Sequence, residues 1–236
     1  ICLFEKVLAV EKNKDTFTIF SEKHTYKAKN LIVATGFYDL PKLLNIPGEN
    51  LPKVSHYYKE AHFYTMQNVV VIGASNSAVD AALEIWQKGS NVTMVVRGES
   101  IGERVKYWVK PNIENRIAEG SIKAFFNSEL IEIKQKEVII QTPKGKVTLP
   151  NDFVIALTGY RPNFEFLESL GVALSKDGKY FPSYEETTME TNVANLYLAG
   201  VICGGMDTHL WFIENSVVHA KIIVKAILKK QAKTVD

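Results

Sequence analysis

Short apolar blocks separated by polar breaks fill the first 36 positions. FEKVLAVEK, TFTIFSE and HTYKAKNLIVATG alternate or run continuously in apolar residues over strand lengths, which predicts a β-rich opening. Asn13, Lys14 and Asp15 suit a tight turn between its first two strands. LIVATG ends the block as a buried strand followed by glycine. Residues 37–66 show no clear period and are broken by prolines and glycines, so they read as an extended connection. The pattern then sharpens. VVVIG at 69–73 is a continuous apolar strand, and apolar residues at 78, 79, 82, 83 and 86 follow at helical spacing. A Gly-Ser-Asn break leads to a second apolar strand ending at Arg97. Residues 101–118 suggest a helix, with Pro111 marking a break or a new first turn. Strands resume over 122–157, with Pro143-Lys144-Gly145 as a hairpin turn. Residues 164–170 suggest a short helix, and NLYLAG at 195–200 another buried strand. From about 212 to 230 the chain is amphipathic, with Ile213, Val217, Ala220, Val224 and Leu228 on one face.

The stretch 69–97 is one βαβ unit, and its first turn carries chemistry. Gly73 permits a sharp strand-to-helix reversal, and Ala78 permits close packing of helix on strand. Ser75 occupies the position where glycine usually lets the backbone approach a pyrophosphate. Gly73, Ala74, Ser75, Asn76 and Ser77 are therefore the expected phosphate-binding residues, helped by the free amides and positive dipole end of the helix. A βαβ unit that binds nothing is the alternative. The second strand of an NAD site normally ends in Asp or Glu for the ribose 2′-hydroxyl. Arg97 stands there instead, and a guanidinium suits a 2′-phosphate. Arg104 and Lys106 add positive charge, and Glu99 and Glu103 oppose it. NADPH is accordingly the expected dinucleotide.

Composition narrows the classes without choosing a chemistry. The 236 residues are 46% hydrophobic and 23% charged, as in ordinary globular proteins. A net charge of +2 is too near zero to argue for nucleic acid or an anionic membrane, and neither is expected as a partner. No apolar run has the length of a membrane span. Two cysteines, Cys2 and Cys203, make neither a disulfide framework nor a Cys-x-x-Cys motif, so a cytoplasmic location is expected. None of the five histidines has metal-ligand spacing, and no metal is expected. The opening ICLFEKVLAV begins inside a strand pattern without Met or a signal-peptide pattern, which suggests a piece of a longer protein.

The landmarks also fall in a known order. ATG at 34–36, GxSxxA at 73–78, TGYRPN at 158–163 and YLAG at 197–200 resemble the two-dinucleotide flavoprotein reductases, and within them the thioredoxin-reductase-like enzymes. IPGENLPKVSHYYKE at 46–60, the turn and helix GASNSAVDAALE, and FIENSVVHA at 212–220 are most similar to the bacillithiol-disulfide reductase branch. The resemblance implies an α/β fold with a complete Rossmann-like NAD(P)H domain at 67–162. A partial FAD domain would be split between 1–66, with its connection, and 163–236. It implies an NADPH-dependent oxidoreductase that reduces a low-molecular-weight thiol disulfide through FAD. A flavin monooxygenase and a nucleotide-binding module without turnover are the alternatives, and homo-oligomerisation is left open.

Three departures from the resemblance matter. The family's own opening βαβ unit for FAD is not in this sequence, so weak or absent FAD binding by this chain is expected. The Cys-x-x-Cys of thioredoxin reductases proper is missing, which disfavours dithiol relay to thioredoxin. Val201 stands where an Asp is usual, with Glu214 or Asn215 as substitutes. The resemblance further places Val7, Thr35, Gly36, Gly159, Gly200 and Val201 beside the dinucleotides. Gly36 and Gly159 are equally readable as plain turn glycines, and Val7 as a core strand valine. The weak catalytic candidates are Cys203, as a redox thiol or an inert buried one, and His56, as a proton donor or a structural histidine. His219 has the same two readings, and Tyr57, Tyr58 and Trp211 line either a cofactor face or the core.

Overall fold

The computed structural model describes residues 1–233. The chain forms two compact units, one from residues 1–40 with 160 onward and the other from Pro41–Gly159.

The second unit is built on a five-stranded parallel sheet. Its order is Val54–Ser55, Phe153–Ala156, Asn68–Ile72, Asn91–Val95 and Lys123–Phe125. Both faces of the sheet are covered, which is why its strands read as continuous apolar runs rather than alternating ones. The helix Asn76–Gln87 covers one face. Ala78, Ala81 and Ala82 are fully buried there, and their small side chains let the helix approach Val71 and Met94 closely. An antiparallel meander of Glu129–Ile133, Glu137–Thr142 and Gly145–Pro150 covers the other face, packing Leu130, Val138 and Ile140 on Val70 and Val154. Its hairpin at Pro143-Lys144 closes with Thr142 opposite Gly145. From the strand Asn68–Ile72 the chain leaves to one side through the helix and later returns on the other. That strand's carboxyl end is thus a topological switch point, where doubly wound sheets bind ligands.

Two sequence expectations fail in this unit. Residues 41–66 are not an extended connection. Leu44, Ile46, Leu51 and Val54 pack on the meander side, Ala61 and Tyr64 join the helix-side core, and Val54–Ser55 forms the sheet's edge strand. The expected helix over 101–118 forms only at Lys110–Ala118. Pro111 fits the first turn of that helix, where an amide has no intrahelical acceptor to lose. Ile101 and Val105 are buried as anchors of an irregular loop, which mimics helical spacing.

The first unit opens with the predicted antiparallel strands, Val7–Asn13, Thr16–Ser21 and Thr25–Ala28. A four-stranded sheet follows the order Tyr184–Glu185, Glu190–Thr191, Leu196–Leu198 and Leu31–Val33, the last two parallel. The helix Phe164–Ser169 begins at Asn163, whose side chain accepts the Phe166 amide. The long helix Ile213–Lys233 completes the core through Ile223. The apolar face read from the sequence is not the buried one. Ile213, Val217, Val224 and Leu228 are 87, 62, 54 and 59% exposed, while His219 and Ile223 face inward. The helix carries two apolar stripes, and periodicity alone does not rank them. Val7, offered as a core valine, is also exposed.

Candidate functional site

The turn after Ile72 is held by contacts that only glycine permits. Gly73 has φ +125°, and a Cβ there would lie 2.6 Å from the Leu157 carbonyl oxygen and 3.1 Å from the Ala78 Cβ. The Gly73 amide donates to the Val95 carbonyl at 3.2 Å, and the Leu157 amide to Ile72 at 2.9 Å. Ser75 is the N-cap in an extended conformation and makes no capping bond with its side chain. The first amides of the helix therefore lack intrahelical acceptors, and the positive dipole end points outward. Ser75 and Ser77 are exposed at that end.

A second loop lies against this turn. The Gly102 amide donates to the Ala74 carbonyl at 2.9 Å. Asn76 holds the loop twice: its Nδ2 donates to the Arg104 carbonyl at 3.2 Å, and its Oδ1 accepts the Lys106 amide at 2.9 Å. The three basic candidates divide accordingly. Lys106 pairs with Asp80 at 2.9 Å. Arg97 and Arg104 are exposed, and neither guanidinium has an ion-pair partner among the described residues. Arg97 and Thr158 line a cavity of about 500 Å³ whose apolar walls include Leu43, Leu44, Ile46 and Leu130. The 43–46 segment is clamped by Glu49, whose carboxylate accepts the Leu44 and Asn45 amides at 2.6 and 2.7 Å. His56 Nε2 lies 3.3 Å from the same carboxylate, in a half-buried position. Tyr58 is likewise engaged, donating to Glu84 at 2.6 Å. Gly159 closes its strand with φ +95°.

In the first unit, Thr35-Gly36 and Gly200-Val201 follow the parallel strands Leu31–Val33 and Leu196–Leu198, side by side at their carboxyl ends. Gly36 and Gly200 both face open space where a Cβ would stand, so a ligand can approach their backbone. Behind them, His219 Nδ1 accepts the Gly200 amide at 3.1 Å. Burial lowers the His219 pKa, which keeps the ring a neutral acceptor. Trp211 packs edge-on against it at 4.4 Å. Asn215 is not available to replace the missing Asp, because its amide caps the helix through the Phe212 amide and the Leu210 carbonyl. Glu214 remains exposed. Cys203 is buried, and burial pushes its thiol up to about 12. It is protonated at neutral pH and a poor nucleophile. Sequence reasoning gave no weight to Gly102 or to the His219 acceptor role, since each acts through a contact that has no local pattern.

Comparison with known proteins decides the family. A model of the pyridine nucleotide-disulphide oxidoreductases matches residues 1–200. The chain belongs to that family. As a pyridine nucleotide-disulphide oxidoreductase it is 42% identical over 219 residues to the bacilliredoxin reductase Bdr of Bacillus subtilis, covering 92% of this chain and 67% of that protein. The bacillithiol disulfide reductase Bdr (YpdA) of Staphylococcus aureus superposes with a TM-score of 0.91 at 41% identity, covering 96% of this chain and 71% of that one. A thioredoxin reductase of T. acidophilum shares the fold, with a TM-score of 0.69 at 22% identity over 97% of this chain and 74% of that one. The chain thus spans about two thirds of its curated relative's length. These matches establish the two-dinucleotide α/β fold expected from sequence. Among the described residues no helix is long and apolar enough to cross a membrane.

Proposed function

We propose that this chain handles the dinucleotides of an NADPH-dependent flavoprotein oxidoreductase that reduces a low-molecular-weight thiol disulfide. The observation that carries the reading is the Gly73–Ser77 turn together with Arg97 and Arg104, two guanidiniums without an ion-pair partner among the described residues. The turn's amides and the exposed Ser75 and Ser77 hydroxyls bind the pyrophosphate. Arg97 and Arg104 meet the 2′-phosphate, for which paired charge and directed donors are the matching chemistry. The cavity beside Arg97 and Thr158 receives the adenosine, its size falling within the ~300–1,000 Å³ range of small-molecule sites. Thr35, Gly36, Gly200 and Val201 offer the backbone that would hold FAD from this chain's side. FAD, when bound, relays two electrons from the nicotinamide to the disulfide. The absence of Cys-x-x-Cys, together with the likeness to a bacillithiol disulfide reductase, supports a small disulfide over thioredoxin.

Two measurements test this. NADPH should bind this chain more tightly than NADH by about 1–3 kcal/mol, and Arg97→Ala should remove most of the difference. Equal affinities in the unaltered protein would overturn the NADPH assignment. The natural full-length protein with FAD should oxidise NADPH when given small thiol disulfides, followed by absorbance. Activity with oxidised thioredoxin and none with any small disulfide would overturn the substrate class.

A further inference from the structure

Asn76 lies inside the phosphate-binding turn, yet its side chain points away from a phosphate role. Both ends of its amide are committed to the backbone of the neighbouring loop, at Arg104 and Lys106. These two bonds bracket Val105, whose side chain is buried in the core beneath. A third bond, from the Gly102 amide to Ala74, ties the start of the same segment to the same turn. The contact at Gly102 leaves no room, since a Cβ there would sit 2.8 Å from the Ala74 carbonyl oxygen. Lys106 adds a fourth tie through Asp80 on the helix. Residues 102–106 are therefore fastened at both ends to residues 74–80. Within that fastened segment, Arg104 is the cation left without a partner among the described residues.

We propose that Asn76 is a positioning residue for dinucleotide specificity: it holds the 102–106 loop so that Arg104 presents its guanidinium to the 2′-phosphate while the turn itself binds the pyrophosphate. This rests on the NADPH reading above and extends it to a residue that touches no phosphate with its side chain. A long arginine side chain loses rotamer freedom on binding, and anchoring its backbone beforehand lowers that cost. The two phosphate sites are thereby coupled through one amide, so the loop's contribution falls on 2′-phosphorylated ligands alone.

The test is equilibrium binding of NADP⁺ and NAD⁺, which differ only in the 2′-phosphate, to the unaltered chain and to Asn76→Ala, Arg104→Ala and Asn76→Ala/Arg104→Ala. The unaltered chain should prefer NADP⁺ by about tenfold or more, one charge-assisted contact being worth about that factor. Asn76→Ala should reduce the preference to about threefold or less by weakening NADP⁺, with NAD⁺ affinity changed by less than about threefold. The double variant should be no worse for NADP⁺ than Arg104→Ala, because Asn76 acts through Arg104. Equal losses for both nucleotides would mean Asn76 only maintains the turn, and would overturn the proposal. An intact preference in Asn76→Ala would also overturn it, leaving the NADPH reading standing. No preference in the unaltered chain would overturn the NADPH reading and this inference together.

Discussion

At Cys203 the surrounding core decides the chemistry. A lone thiol just after the strand Leu196–Leu198 invites a redox reading, but this one is buried and pushed up to about 12, so little thiolate exists at neutral pH. Replacing its sulfur with a hydroxyl places a polar group in the apolar cluster that also holds Leu198 and Ile202. Cys203→Ser should therefore destabilise the protein by about 1–3 kcal/mol in thermal or urea unfolding. Turnover per folded molecule of the natural full-length protein should fall by less than about tenfold. Full stability with turnover abolished would place the thiol in the reaction instead. His56 is the parallel case: its partner is Glu49, which is occupied in clamping the 43–46 segment.

Helix Ile213–Lys233 shows how an element's own pattern can point both ways. One stripe runs through Ile213, Val217, Ala220, Val224 and Leu228, and the other through His219, Ile223 and Ala226. Both satisfy a helical period, and the unit buries the second. Ile223→Ala in this chain should then cost about 2–5 kcal/mol, the range for a fully buried aliphatic truncation. Val224→Ala should change stability by about 0.5 kcal/mol or less, as at an ordinary surface site. Urea unfolding of the two variants checks the assignment, and comparable losses would show that the outer stripe is covered in solution. The segment 101–118 teaches the same lesson from a loop. Ile101 and Val105 are spaced like helix neighbours, but they serve as plugs beneath a loop whose backbone bonds go to residues 74–76.

Acid stability across the whole molecule has a histidine step and a carboxylate step. His219 has its folded-state pKa lowered by burial, so the folded protein resists protonation there. Above the unfolded value of about 6.5 neither state binds the proton, and no penalty exists. As pH falls below that value the unfolded chain gains the proton first, and stability declines until the lower folded pKa is reached. A tenfold difference in proton affinity corresponds to about 1.4 kcal/mol. Glu165 contributes at lower pH: the Arg161 guanidinium bonded to it lowers its pKa, and that contribution is lost as pH falls below the usual carboxylate range of about 4.3. The melting temperature of the unaltered chain should drop between pH 7 and about 5. His219→Asn, which keeps an acceptor for the Gly200 amide, should show a smaller drop over that window. Identical pH profiles would remove His219 as the cause.

By itself the sequence determined the features that depend on near neighbours. The strand at 69–72, the Gly73 reversal, the helix with Ala78 against the sheet and the Arg97 terminus are all specified within thirty residues. The paired strands of 7–28 and the Pro143-Lys144 hairpin are equally local, because turn chemistry and alternation are encoded where they act. Only the tertiary structure decided which cations are available. Lys106 is neutralised by Asp80, 26 residues away, and Arg104 is fixed by Asn76, 28 residues away. It also assigned 41–66 to the dinucleotide unit, since the apolar residues of that segment find partners on the meander and in the helix-side core rather than in their own neighbourhood. It chose the inner stripe of the terminal helix as well. Such choices depend on which surfaces meet, and periodicity describes a surface without naming the one opposite it.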